Sequence, residues 1–282
     1  MILVVGGIAL ALAGRWLITR GPRSVPLLRT RGVNLEATRG ATPAVWLCAH
    51  LDTKSQRVPT LLRVIGTALQ ATGYVLMTGI AVATAIGYAT PGVLWAFTAV
   101  VTLAGAVIVV QNMTGHRSPG ALDNASGVVT VIEAVRELKT DRVGVLITDA
   151  EEMGLAGAQA WVDGRRRAGI VLNCDGVDDG GVNVIMHSGA RPQRILQAAR
   201  DATRSTSIEY EVMRMIPGVI TDSVAFTAAG LESVTFSRGT WWSLARVHSM
   251  RDDLAHLTGA GIAPTARQMA AVTQALLQED SR

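Results

Sequence analysis

The sequence predicts an α/β fold, a mostly parallel mixed sheet flanked by helices, into which a transmembrane helical hairpin is inserted. Three observations carry this. Short β-like runs alternate with single helical stretches over most of the chain, and strands joined by single helices pack as parallel neighbours with helices on both faces. Two uncharged apolar runs stand in tandem, at residues 64–88 and 93–110. Histidines and carboxylates recur just past the strand ends, where the chemistry of such sheets gathers.

The elements follow in order. Residues 2–14, "ILVVGGIALALAG", form an apolar run followed by Arg15, Arg20 and Arg23. It could be a third span completed by "RWLI", a signal-peptide core or a membrane-surface anchor; no small-residue cleavage pattern is evident after it, so residues 1–20 are expected to be an uncleaved membrane anchor. The first strands are expected at 33–38 ("VNLEAT") and 44–49 ("AVWLCA"), both rich in apolar residues. Each apolar run of the tandem is close to the roughly 20 residues needed to cross a hydrocarbon core. Only "ATPG", a turn signal, separates them. Residues 61–112 therefore read as an inserted hairpin with both ends on one side of the membrane. Further strands are expected at 143–148, 169–174, 182–187, 207–212 and 233–238, and helices at 126–138, 156–167, 191–203, 222–229 and 261–278. Segments 30–58 and 115–282 together make one folded domain, large enough for a sizeable core.

Composition supports this division. Mean hydropathy is +0.32 and only 17% of residues are charged, with the apolar excess concentrated in the N-terminal run and the hairpin. The formal net charge of +4 is explained by Arg15, Arg20, Arg23, Arg29 and Arg31, by Lys54, Arg57 and Arg63 before the hairpin, and by Arg117 after it. Cationic residues flanking apolar spans favour the cytoplasmic side, so the folded domain is expected on the cytoplasmic face of an integral membrane protein. No basic platform interleaved with aromatics is present, and no nucleic-acid partner is expected. Cys48 and Cys174 lie inside apolar runs and read as buried thiols rather than a disulfide.

The reactive side chains come in five pieces. "WLCAHLDT" ends a strand with His50 and Asp52, and "GALDNASG" brings Asp123 to the start of a helix. "DAEEMGLAGAQ" places Glu151 and Glu152 after a strand, with glycines for a tight turn. Asp175 follows "GIVLNC", and "RVHSMRDD" supplies His248. Taken singly, each piece has a plainer explanation. His50 alone would be structural, an adjacent Glu pair is common on surfaces, and Asp123 alone would suit a helix N-terminus. Together they offer five oxygen or imidazole ligands at strand ends plus a spare carboxylate, the donor set of a two-zinc hydrolase.

The order "AHLD", "ALDNASG", "DAEEMGLAG", strand-end Asp, "TDSVAFTAAGLESVTFS" and "VHSMRDD" resembles the zinc aminopeptidases of the MH clan, the family of bacterial leucyl aminopeptidase, aminopeptidase S and aminopeptidase Y. The resemblance covers everything outside the N-terminal run and the hairpin. It implies a zinc-peptidase three-layer sandwich for 30–58 and 115–282, a peptide or aminoacyl-amide substrate, and two zinc ions per chain. By that resemblance, one zinc is held by His50 and Asp175 and the other by Glu152 and His248, with Asp123 bridging. Glu151 is the general base, and Asp52 fixes the tautomer of His50. Glutaminyl cyclase-like single-zinc acyl transfer and a catalytically silent membrane role are the alternatives within the same fold.

Three departures stand out. Val247 occupies the place where several relatives carry a tyrosine that helps the tetrahedral intermediate. Asp222 and Ser223 stand where the family has a Ser-Asp-His run, and the final residue differs. The hairpin replaces a connection of about a dozen residues in most relatives, and could either hold the site near presented substrates or merely anchor the domain. His116 and His256 read as surface residues and His187 as a strand end. Trp241 and Trp242 read as a pocket wall or an interfacial pair.

Overall fold

The computed structural model describes residues 2–19, 31–40, 42–163, 169–216 and 218–279. Arg20, Arg23, Arg29 and the end of the helix expected at 156–167 lie outside the described residues. The elements run α1 (Ile2–Thr19), β1 (Leu35–Ala37), β2 (Val45–His50), β3 (Ser55–Gln56), α2 (Thr60–Ala85), α3 (Gly92–Val110), β4 (Thr114–Gly115), α4 (Ser126–Glu137) and β5 (Val143–Thr148). There follow α5 (Ala156–Asp163), β6 (Ile170–Val177), β7 (Val182–His187), α6 (Gln193–Thr206), β8 (Glu211–Arg214), α7 (Asp222–Ala228), β9 (Glu232–Gly239), α8 (Ser243–Arg246) and α9 (Ile262–Glu279).

Seven strands form one sheet in the order β1-β5-β2-β6-β9-β7-β8. The centre is parallel, β5 to β2 to β6 to β9, and antiparallel pairs occur at β1–β5 and β7–β9. β2 is buried throughout, as a strand with neighbours on both sides and helices on both faces must be. Its alternate residues divide the core. Val45, Leu47 and Ala49 pack with α4, α6 and α9 through Val131, Ala199 and Met269. Trp46 and Cys48 face the other way, onto α5 and α7 through Trp161 and Phe226. There Trp161 sits edge-on between Trp46 (ring centroids 5.2 Å) and Phe226 (5.5 Å), each contact adding about 0.5–1.5 kcal/mol to the area buried. Both cysteines are free and buried.

One strand is displaced from its expected position. The run at 207–212 becomes a strand only from Glu211, because α6 continues to Thr206 and Ser207 caps it in the left-handed region at φ 58°. The first strand is likewise shorter, Leu35–Ala37.

α2 and α3 pack as an antiparallel pair through small residues. A Cβ on Gly105 would lie 2.5 Å from the Gly66 carbonyl oxygen, and one on Gly73 would meet Thr102 at 2.3 Å. Such close approach is how apolar helices associate without a hydrophobic driving force. At roughly 1.5 Å per residue, the 26 and 19 residues of α2 and α3 extend roughly 39 and 28 Å, comparable with a hydrocarbon core of about 30 Å. Their outward side chains, Val75, Val93, Phe97, Val100 and Leu103 among them, are exposed. α1 is a shorter apolar helix; it meets α2 where the Tyr74 hydroxyl donates to the Leu3 carbonyl. At the base of the hairpin, β3 and β4 pair as a two-stranded antiparallel stem.

Candidate metal centre

The reactive side chains are gathered at the carboxyl edge of the parallel strands. His50 ends β2 and is 1% exposed. Asp175 lies within β6, at the irregularity between Cys174 and Val177, so the strand runs past it rather than stopping before it. Glu151 and Glu152 occupy the turn after β5, where Ala150 takes φ 57°. That turn doubles back so tightly that a Cβ on Gly157 would lie 1.9 Å from the Asp149 carbonyl oxygen. Asp123 sits in the turn Ala121–Ala125 ahead of α4, with non-helical φ −121° and ψ 88°. His248 follows α8 at φ 63°, a backbone state that a side chain adopts only when its surroundings hold it there.

The nitrogen and oxygen atoms converge on two points. His50 Nε2 lies 3.1 Å from Asp123 Oδ1 and 3.7 Å from Asp175 Oδ1. His248 Nε2 lies 2.8 Å from Asp123 Oδ2 and 2.7 Å from Glu152 Oε1. The donor atoms of His50, Asp123 and Asp175 fall within 4.8 Å of one another, as do those of Asp123, Glu152 and His248. Asp123 belongs to both groups, one carboxylate oxygen to each. Asp123 Oδ1 and Glu152 Oε1 are buried without a hydrogen bond, despite the ring nitrogens nearby. Imidazole nitrogen and carboxylate oxygen are the donors zinc prefers. Tetrahedral ligand atoms about zinc stand roughly 3.3 Å apart for bonds of about 2.0 Å, close to the separations seen here. The residues fit a pair of metal ions.

The surroundings fix these donors. His50 Nδ1 is 3.0 Å from the Asp52 main-chain carbonyl, which accepts its proton and leaves Nε2 free. The Asp52 carboxylate stands farther off, at 3.6 Å. Both the main-chain and the side-chain oxygen of Asp52 thus face the same ring nitrogen, the main-chain one nearer. The carboxylate oxygens also accept the main-chain N–H groups of Glu151 (2.9 Å) and Glu152 (3.0 Å), which aims that turn at the centre. Asp252 does the same for Asp123, accepting from the N–H groups of Leu122 (2.5 Å) and Asp123 (3.2 Å). The Lys54 ammonium contacts Glu152. Thr60, the first residue of α2, places its hydroxyl 3.0 Å from His248 Nδ1, and the Gln56 N–H donates to the His248 carbonyl at 2.8 Å.

Electrostatics reflect crowding of acids around two imidazoles. Burial alone would lower the pKa of His248, but Asp123 and Glu152 outweigh it and push it up to about 9. His50 behaves alike: burial opposes its charge, while Glu151, Asp123, Asp175 and Asp52 raise it well above the ordinary value. Burial raises the Glu151 carboxyl well above its ordinary range, Glu152, Asp175 and Asp222 adding to the effect against His50. Asp175 is also raised, chiefly by burial. Burial opposes the charge of Asp123, yet His248 and His50 hold its pKa well below the carboxylate range. Asp222 lies fully buried behind the centre, accepting the Thr148 hydroxyl, and burial lifts it to about 7.

Beside the centre opens a cavity of about 900 Å³, whose wall includes Asp123, Glu151, Glu152, Asp175 and His248 together with Val184, Met186, Met213, Ile220, Trp241 and Leu244. Trp241 lines it and Trp242 is exposed beside it. His116 and His256 are exposed, and His187 ends β7. Sequence reasoning missed Thr60, Asp252 and the cavity-facing role of Arg63. Asp252 had a faint signal in the doubled aspartate after His248; the other two had none, since they reach the centre only once the hairpin closes its stem.

Residues 104–273, more than half of the chain, match Peptidase family M28, and the chain belongs to that family, whose members are metallopeptidase hydrolases. The matched span holds Asp123, Glu151, Glu152, Asp175 and His248 but begins after His50 and Asp52, which the fold brings alongside. No curated protein matches. Among solved structures, the fold is similar to the zinc aminopeptidase of Bacillus subtilis (TM-score 0.53, 17% identity, 86% of this chain and 48% of that one). It is also similar to the LapA aminopeptidase of Legionella pneumophila (TM-score 0.55, 15% identity, 96% and 65%) and an aminopeptidase of Aneurinibacillus strain AM-1 (0.51, 16%, 87% and 47%). The chain spans about half the length of the Bacillus and Aneurinibacillus proteins.

Proposed function

We propose that this protein is a membrane-anchored zinc aminopeptidase that removes N-terminal residues from peptides. The observation that carries the reading is the pair of donor groups sharing Asp123, with Glu151 buried beside them and a cavity opening alongside. His50 and Asp175 would hold one zinc ion, Glu152 and His248 the other, and Asp123 would bridge them; the second complete group supports two ions over the single-zinc alternative. When bound, the zinc would polarise the scissile carbonyl and lower the pKa of the attacking water. Glu151 takes a proton from that water and delivers it to the leaving amine nitrogen. Asp52 acts through the backbone, fixing the N–H groups of Glu151 and Glu152. The apolar cavity wall favours a hydrophobic side chain at the residue removed.

Residues 61–112 are proposed as a transmembrane hairpin and residues 1–20 as a further anchor, leaving 30–58 and 115–282 as the catalytic domain. The length of α2 and α3 and their exposed apolar faces support this. Arg15, Arg31, Lys54, Arg57 and Arg117 at the same side favour the cytoplasmic face. The test is hydrolysis of aminoacyl amides by the detergent-solubilised full chain, with Glu151→Gln as control. Turnover that disappears in Glu151→Gln while zinc is retained supports the reading; no turnover by zinc-loaded protein refutes it.

A further inference from the structure

We infer that Arg63, carried in the first turn of the inserted hairpin, donates to the oxyanion that forms during hydrolysis, so that the hairpin completes the catalytic apparatus. The inference rests on the hydrolase reading above.

The first turn of α2 is fixed to the metal centre rather than suspended from it. Its stem pairs Ser55–Gln56 with Thr114–Gly115, the Arg57 N–H donates to the Met113 carbonyl at 2.9 Å, and the Gln56 N–H donates to His248. Thr60 then meets the ring of His248. The helix begins after Pro59, whose carbonyl accepts the Arg63 N–H at 3.0 Å. One turn past Thr60, Arg63 lines the same cavity as Asp123, Glu151, Glu152 and His248.

Among the described residues, the guanidinium has no partner that would account for its position. Its Nε is buried without a hydrogen bond, and it makes no salt bridge among the described residues, although Glu152, Glu151 and Asp123 act on its charge. A buried donor left unmatched is costly, and an oxygen acquiring negative charge would match it. The other cations on the cavity wall each have a side-chain partner: Lys54 contacts Glu152, and Arg238 donates through Nη1 to Asn183 Oδ1 at 3.2 Å, although its Nε is likewise buried without a hydrogen bond. The residue before His248 is Val247, buried and apolar, which offers no side-chain donor.

The water oxygen bonds to the carbonyl carbon while its proton passes to Glu151. The carbonyl electron pair moves onto oxygen, and the N–H groups of Arg63 receive that charge. Collapse restores the carbonyl, breaks the C–N bond, and carries the proton from Glu151 to the departing nitrogen. A donor fixed where charge develops accelerates such steps by roughly 10²–10³-fold.

The test uses the full chain in detergent with an aminoacyl amide and a phosphinic peptide isostere that presents a tetrahedral oxyanion. Arg63→Met should keep the wild-type zinc content and a KM within about threefold, with kcat lower by roughly 10²–10³-fold. Calorimetric binding of the isostere should weaken by a similar factor, while binding of the free amino acid product stays unchanged. Arg63→Lys should retain part of both and serves if the methionine variant does not fold. Unchanged kcat and isostere affinity in a folded, zinc-bearing variant overturn the inference. So does a KM that rises only for peptides with a free C-terminal carboxylate, which would make Arg63 a substrate anchor. Absence of hydrolysis by zinc-loaded wild type removes the underlying reading as well, and is seen without any variant.

Discussion

Stripping the metal from this protein should make its stability fall steeply with alkaline pH. In the metal-free fold, His248 is raised from its ordinary value of 6.5 to about 9; burial works against the charge, but Asp123 and Glu152 more than compensate. A group whose folded pKa is raised contributes stability that is complete below the unfolded value and is lost as pH climbs through the folded one. The window is therefore pH 6.5 to 9. The loss is about 3 kcal/mol, at roughly 1.4 kcal/mol per pH unit of displacement. For a domain of this size, that lowers the melting temperature by roughly 6–12 °C. His50 is raised too and acts in the same direction, and Asp222, raised by burial to about 7, adds a smaller loss at the lower end of the window. The assay is thermal denaturation of chelated, detergent-solubilised protein at several pH values, beside the zinc-loaded form. Zinc-bound imidazoles have no free nitrogen to titrate, so the loaded form should gain on the apo form as pH rises. An apo melting temperature that is flat or rising from pH 6.5 to 9 would refute the crowding of acids around these histidines.

Four further outcomes are expected. Glu151→Gln should retain zinc and lose roughly 10²–10⁴-fold in kcat, read from steady-state kinetics and elemental analysis. Thr60→Val, which removes the oxygen that His248 Nδ1–H meets, should weaken zinc binding about 10–100-fold in a competition titration with a chromophoric chelator; unchanged affinity would mean that the hairpin does not orient this ligand. Asp252→Ala leaves the Leu122 and Asp123 N–H groups without their buried acceptor and should cost about 1–3 kcal/mol in denaturant unfolding. Gly105→Leu should pry α2 from α3, since even a Cβ there meets the Gly66 carbonyl oxygen at 2.5 Å; limited proteolysis near the hairpin should accelerate, and unchanged protection would contradict the packing described.

The sheet was legible because its signals are local. Runs such as "VGVLIT" and "VNVIMH" became strands with the expected bounds, and the helices starting at Ser126 and Asp222 began where expected. The candidate donors come together because His50, Glu151 and Glu152 end or follow parallel strands, where chain order and spatial gathering coincide, while Asp175 lies within β6 and Asp123 in the turn ahead of α4. What escaped notice depends on long-range closure. Ser207 could not be seen as a helix cap while "SIEYEV" read as strand. The main-chain carbonyl of Asp52 lies nearer His50 Nδ1 than its carboxylate does, and no residue pattern records which oxygen of an aspartate is nearer. Thr60 and Arg63 are unremarkable residues ahead of an apolar run until the β3–β4 stem brings them to His248. The two apolar runs were legible as helices; the placement of the first turn against His248 was not.

The central claim is a paired metal centre, and metal content tests it most directly. Elemental analysis of the purified, zinc-equilibrated full chain should find about two zinc ions per protein, about one in Glu152→Ala, and close to none in Asp123→Ala, because Asp123 serves both groups. A folded wild-type protein that takes up one zinc ion or none, or an Asp123→Ala variant that retains both, would contradict the account.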